Sequence, residues 1–232
     1  MSFRKWENLP AYMRCEEVRA YYDVLASKTI SLMLKRVFDV LAALILLSIL
    51  TIPMLIIAVL IKLDSPGPVF FRQERVTSYG KIFRIHKFRT MVNNADKIGS
   101  AVTVAGDSRI TKVGAKLRDL RIDEFPQLLD VLAGDMSFVG TRPEAIKYVK
   151  QYTNEMLATL LLPAGITSEA SIRYKDEAAL LDAADDVDKV YVKKVLPEKM
   201  KYNLMSIKQF SLGKEFLTMV RTVAAVLGRE YQ

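Results

Sequence analysis

Asp123 and Glu124 are adjacent, and Pro126 follows two positions later. Proline is tolerated in the first turn of a helix, so the stretch from Pro126 to Leu132, closed by Gly134, is predicted helical with the acidic pair at its start. Carboxylates there face the positive end of the helix dipole, which keeps them ionised and also draws phosphate. Ionised carboxylates are hard oxygen ligands suited to Mg²⁺, an ion that would offset repulsion between an attacking carboxylate and a diphosphate. Asp123 and Glu124 are therefore the candidate catalytic and metal-ligating residues. The same pair also fits a plain N-terminal cap, and taken alone it leaves both roles open.

Cations surround the pair in sequence: Lys87, Arg89, Arg109, Arg118, Arg121 and Arg142. Arginine presents a planar fork that matches phosphate oxygens, so Arg118 and Arg142 are the first candidates for substrate contacts, followed by Lys87, Arg89 and Arg109. Gln127 is a further candidate, to orient the helix start or a phosphate oxygen. A face for acidic lipid headgroups is the competing role for these cations.

The rest of the composition narrows the chemistry. The chain has 232 residues, a formal charge of +8 and one cysteine, Cys15, which excludes an internal disulfide and a cysteine zinc site. His86 is the sole histidine, which removes multi-histidine metal sites and nucleophile pairs needing a second histidine. Carboxylates and basic groups must carry any catalysis. The charge points to anionic partners, but neither aromatic-basic repeats nor a recognition helix is evident, so nucleic acid is not expected.

These residues must be held by elements that the sequence places at a membrane. Val40 to Ile61 is a run of 22 residues without a charge, apolar on every helical face. As a straight helix it would reach roughly 33 Å, enough to cross a hydrocarbon core of about 30 Å. Pro53 interrupts it, and both flanks are basic: Lys28, Lys35 and Arg36 before, Lys62, Arg72 and Arg75 after. A span should show charge asymmetry, whereas a re-entrant hairpin entering and leaving by one face should be basic at both ends. Arms of about 20 and 12 Å on either side of Pro53 would not cross, with Ser48 and Thr51 placed to satisfy carbonyls freed at a kink. The residues alone balance span against hairpin. The run starts too late and is too long for a cleaved signal peptide.

The organisation expected is a leader over residues 1–34, helical from Tyr12; a membrane element over 35–64; a catalytic domain over 65–195; and C-terminal helices over 196–232. Strands are predicted at Val69 to Phe71 and Lys81 to His86 around a Tyr79-Gly80 turn. Helices are predicted at 93–98, 110–118, 126–132, 142–161, 177–184 and 188–195. Met200, Leu204, Ile207, Phe216, Val220 and Val223 recur among cations near the C-terminus, which fits helices lying at the lipid interface or packed on a core. The fold class is α+β, mainly helical.

The ordered blocks Lys35-Arg36-Val37-Phe38-Asp39, Ser65-Pro66-Gly67-Pro68 through Val76, Lys87-Phe88-Arg89-Thr90-Met91, the stretch Asp107 to Arg118, Asp123-Glu124-Phe125-Pro126-Gln127-Leu128, Gly134 through Gly140, Arg142-Pro143-Glu144 and Pro163 through Thr167 resemble the monotopic phosphoglycosyl transferases. These bacterial sugar transferases start capsule, exopolysaccharide, O-antigen or glycoprotein glycan assembly. The resemblance covers roughly residues 35 to 170. It implies a re-entrant membrane helix broken near Pro53, with the catalytic domain on the cytoplasmic face of the bacterial inner membrane. It implies Mg²⁺ as cofactor, a UDP-sugar donor and a polyprenyl (undecaprenyl) phosphate acceptor embedded in membrane lipid. It implies Asp123 as the nucleophile on the β-phosphate, releasing UMP and leaving a phosphosugar on the aspartate in a ping-pong cycle. Glu124 would serve the Mg²⁺ site or the second attack. Ile52-Pro53, Thr77, Thr141 and the run Ser168 to Tyr174 depart from the family pattern, and the last leaves the sugar open. The leader and interfacial helices offer surfaces for a homodimer. The competing reading is a non-catalytic, membrane-anchored scaffold or lipid-binding protein.

Overall fold

A computed structural model of the chain describes residues 3–95, 107–174 and 186–226. Half of the helix expected at 93–98, all of that at 177–184, and the end of the segment at 196–232 lie outside the described residues.

The leader is two short 3₁₀ turns, Trp6–Asn8 and Ala11–Met13, followed by α1 (Glu16–Ala26). Val18, Tyr21, Tyr22 and Leu25 fall on one face of α1 and are buried together with Leu9 and Met13. They meet Val76, Tyr79, Leu160, Leu161, Leu204, Ile207 and Phe210 in one cluster, so the leader closes a core built from distant parts of the chain.

α2 (Thr29–Asp64) is a single 36-residue helix that runs through Pro53. Two helical arms with a break between them were expected; the helix instead remains continuous. Ser48 and Thr51 donate to the carbonyls of Leu44 and Leu47, four residues back, at 2.9 and 2.6 Å. They do not cap the Ile49 carbonyl that Pro53 leaves without its helical donor. Such back-bonding bends helices. α2 is the one described helix long and apolar enough to cross a membrane, and most of its surface is exposed.

Its contacts with the rest of the chain form one stripe. Lys35, Asp39, Ala43, Ile57 and Ile61 are buried, while Leu47, Leu50 and Met54 pack between them. Steps of four and three residues keep this stripe on one face. The opposite face exposes Phe38, Leu41, Ile45, Ile49, Ile52, Ile56, Val59 and Leu63.

β1 (Phe70–Val76) and β2 (Ile82–Phe88) form the expected antiparallel hairpin, from Phe70 opposite Phe88 to Val76 opposite Ile82. The turn places Tyr79 at φ 57°, the left-handed region, and the Tyr12 hydroxyl donates to its carbonyl. α3 (Lys112–Asp119) and α4 (Gln127–Ala133) follow within a residue or two of expectation. β3 (Met136–Val139) and β4 (Ala164–Thr167) pair in parallel and were not expected from sequence. Their crossing needs two glycines: a Cβ on Gly165 would lie 2.2 Å from the nitrogen of Gly140.

The long helix expected over 142–161 is replaced by extended chain, the short α5 (Ile146–Val149) and a 3₁₀ segment (Glu155–Leu161). Pro143 and the extended Ala145 delay helix onset, and the Glu144 carbonyl accepts from Val76 instead. After α6 (Glu169–Arg173) and α7 (Val187–Val190) comes one π-helical segment, Tyr191–Val195, leading into α8 (Leu196–Lys208) and then α9 (Leu212–Val226). α9 turns Glu215, Thr218 and Arg221 inward to polar partners. It leaves Phe216, Val220 and Val223 exposed.

Candidate active site

The acidic pair sits in a 3₁₀ turn, Ile122–Glu124, between α3 and α4. Arg121 enters it at φ 53°, a left-handed conformation uncommon outside glycine and asparagine, which reverses the chain after α3. Pro126 then occupies the N-cap of α4, whose last carbonyls are held from α2: Arg36 donates to Val131 and Leu132 at 2.6 and 3.0 Å. A cation at a helix C-terminus is favourably placed. Asp39 accepts from the Ser137 hydroxyl at 2.7 Å, so the first third of α2 fixes both α4 and β3.

β2 and the loop after β3 bring two cations to Glu124. Lys87 Nζ and Arg142 Nη2 each reach Oε1 at 2.6 Å, and Arg142 Nη1 lies 3.4 Å from Oε2. Burial by itself would raise the Glu124 pKa, but Arg142 and Lys87 outweigh it and hold the carboxyl well below the usual range. Glu124 in turn raises the Arg142 pKa. Lys87 is lowered, because burial exceeds the attraction of Glu124.

Asp123 has a different environment. Among the described residues it accepts no hydrogen bond and forms no ion pair, and it is partly exposed. Burial and its neighbour Glu124 raise its pKa against the pull of Lys87, Arg142 and Arg118. The two adjacent carboxyls thus divide: one neutralised and fixed, the other free and more basic than an ordinary aspartate.

The other candidates separate by place. Arg118 acts on Asp123 and Asp107 through charge. Arg109 forks onto Asp107, with 2.5 Å between Nη2 and Oδ2, and also donates to the Ala95 carbonyl. Arg89 is buried away from the pair, donating to the carbonyls of Ile61, Ser65 and Pro66, where it caps α2 and holds the turn after it. Gln127 is 1% exposed, and neither amide atom has a protein partner among the described residues. No group of three or more possible metal ligands occurs among the described residues.

Sequence reasoning missed a clip between these elements. Asp130, on α4, accepts from the His86 backbone at 2.8 Å and contacts the His86 ring nitrogen at 2.6 Å. It thereby joins the helix that follows the acidic pair to the strand that carries Lys87. An aspartate one turn beyond Gln127 and a sole histidine beside Lys87 were the available signals. Asp130→Ala should leave His86 Nδ1 and a strand-edge N–H unpartnered and lower stability by about 2 kcal/mol, measurable as a fall in thermal midpoint.

Comparison with known proteins identifies the family. The family description for bacterial sugar transferases matches residues 30–229, and the chain belongs to that family. It is an enzyme of the phosphoglycosyl transferase class. It is 38% identical over 197 residues to a UDP-N-acetylgalactosamine-undecaprenyl-phosphate N-acetylgalactosaminephosphotransferase of Aeromonas hydrophila, covering 84% of this chain and 44% of that protein. It is 37% identical over 196 residues to a UDP-glucose:undecaprenyl-phosphate glucose-1-phosphate transferase of Caulobacter vibrioides, covering 83% of this chain and 69% of that one. A putative undecaprenyl-phosphate N-acetylgalactosaminyl 1-phosphate transferase of Bacillus subtilis is 40% identical over 158 residues, covering 67% of this chain and 87% of that one.

Proposed function

We propose that this protein moves a sugar 1-phosphate from a UDP-sugar to a polyprenyl phosphate at a membrane surface, through a phosphosugar carried on Asp123. The observation that carries the reading is the asymmetry of the acidic pair: Glu124 is held by Lys87 and Arg142, and Asp123 is left free beside the same cations. An Asp123 oxygen attacks the β-phosphorus of the donor, an O–P bond forms, the bond to the bridging oxygen breaks, and UMP leaves with that electron pair. An oxygen of the polyprenyl phosphate then attacks the acyl phosphate, giving the polyprenyl diphosphosugar and restoring the carboxylate. Arg142 and Lys87 face the diphosphate charge, and Arg118 supports it from α3. The buried, unpartnered amide of Gln127 suits a phosphate or sugar oxygen.

Mg²⁺ fits this donor set through Asp123, because Mg²⁺ commonly takes one or two carboxylates and completes its shell with water and substrate phosphate. Glu124 fits less well while both cations hold it. Bound there, the ion would neutralise charge on the diphosphate.

The contact stripe on α2 supports a monotopic placement. A spanning helix must leave its domain to cross the bilayer, yet α2 touches the domain from Lys35 to Ile61. Both ends are also tied down: Lys28 donates to the Phe210 carbonyl at 2.5 Å, and Asp64 accepts from the Val113 N–H at 3.1 Å. Lipid would then cover the exposed face of α2 and the outward residues of α9, with the catalytic domain on the cytoplasmic face. Cysteine labelling tests this: after Cys15 is replaced, Ser27→Cys and Glu74→Cys should react from the same side of sealed inverted vesicles. Reaction from opposite sides would refute the placement.

The activity test is UMP release from UDP-sugars with Mg²⁺ and polyprenyl phosphate. A protein that folds, binds membranes and releases no UMP from any donor would favour the scaffold reading instead.

A further inference from the structure

A second cluster of buried charge is built around Glu144, two residues from Arg142, and has no part in the proposed chemistry. Glu144 is 6% exposed, Lys199 5% and Tyr191 2%. The Tyr191 hydroxyl donates to Glu144 Oε1 at 2.6 Å, and Lys199 Nζ lies 3.2 Å from that hydroxyl and 3.8 Å from the same carboxylate oxygen. Arg75 approaches from β1, donating to the Pro143 carbonyl at 3.3 Å.

Burying a carboxylate with cations is costly, and a hydrophobic cluster of equal volume would often serve stability as well or better. The placement gives the cluster a purpose. Glu144 is two residues from Arg142, with Pro143 between them stiffening the link. Glu124 first, and Glu144 more weakly, raise the Arg142 pKa by their charge. The anchors come from far along the chain: Tyr191 opens the π-helical segment, and Lys199 is on α8. An extra residue per turn rotates side chains relative to a regular helix, and such bulges recur at functional sites. At the head of this segment Tyr191 meets Glu144, with the ring of Tyr148 packed on it, centroids 4.7 Å apart.

We infer that Tyr191 and Lys199 are positioning residues: through Glu144 they fix the backbone and charge behind Arg142, and so set its grip on Glu124 and on the donor diphosphate. The C-terminal part of the chain then belongs to the substrate-binding apparatus without touching substrate. The inference rests on the proposed role of Arg142.

Tyr191→Phe removes the hydrogen bond and keeps the ring. It should raise KM for the UDP-sugar about tenfold with little change in kcat, and in an Arg142→Lys background it should add no further loss. The second readout needs no activity. In the full chain held in nanodiscs, the drop in thermal midpoint on Arg142→Lys should be smaller when Tyr191→Phe is already present. Lys199→Gln should behave in the same way. Midpoint changes that simply add, with kinetic losses that multiply, would overturn the inference. Absence of UMP release by the wild-type chain would instead sink the proposed function, while the midpoint cycle would still decide the coupling.

Discussion

Asp123→Asn should abolish UMP release, by more than about 10⁴-fold, and at the same time make the protein more stable. The first effect follows from removing an attacking oxygen that no neighbour replaces. The second follows from the electrostatics. Burial and the adjacent Glu124 raise the Asp123 pKa in the folded chain, so the folded state favours its protonated form. A raised carboxyl contributes stability below the unfolded pKa and loses that contribution as pH rises through the folded one. At neutral pH the ionised Asp123 is therefore a net cost, which asparagine removes. A gain of about 1 kcal/mol, or about 3 °C in thermal midpoint, is the expected size. A variant that loses activity and also loses stability would mean that Asp123 is a structural cap. In the metal-free protein the same shift should place the Asp123 titration above the ordinary aspartate range.

Glu124→Gln should do the opposite to the fold. It leaves Lys87 and Arg142 facing each other with one neutral amide between them, and breaking a buried pair in this way costs about 3 kcal/mol. The midpoint should fall by about 10 °C. Because its cations hold the Glu124 carboxyl low, the stability it contributes is present above the ordinary carboxylate range and is lost only as pH falls well below that range. Glu124 should accordingly be silent in the activity profile between pH 5 and 8, taken as roughly the span free of unperturbed carboxylate titration. Its loss would still be felt by Asp123, whose pKa it raises: in metal-free Glu124→Gln the Asp123 titration should move to lower pH. A midpoint equal to wild type would remove the ion-pair account.

The acidic pair and Arg142 stood out in the sequence because a proline-led helix and a forked cation have local signatures, and the structure brings Arg142 and Lys87 together on Glu124. Arg89 carried the same chemical signal and went elsewhere, to the end of α2, because charge type does not reveal which carbonyls a fold leaves open. The hairpin was legible from its alternation and turn. The parallel pair of β3 and β4 was not, since two four-residue strands lack a period to read and their pairing depends on Gly140 meeting Gly165. The leader's part in the core was not legible for a similar reason. Its apolar residues are sparse along the chain and become a core only when Val76, Leu161 and Phe210 arrive from elsewhere.

The stripe along α2 bears on how such a protein can be handled. Ala43 fills space among Phe83, Leu128 and Val131, and Ile57 and Ile61 do so against Phe88 and Leu117. Cutting the chain after Asp64 to obtain a water-soluble enzyme would strip those side chains of cover and remove Arg36 from the last turn of α4. The helix and the domain thus share one core, so solubilisation has to clothe the helix rather than delete it.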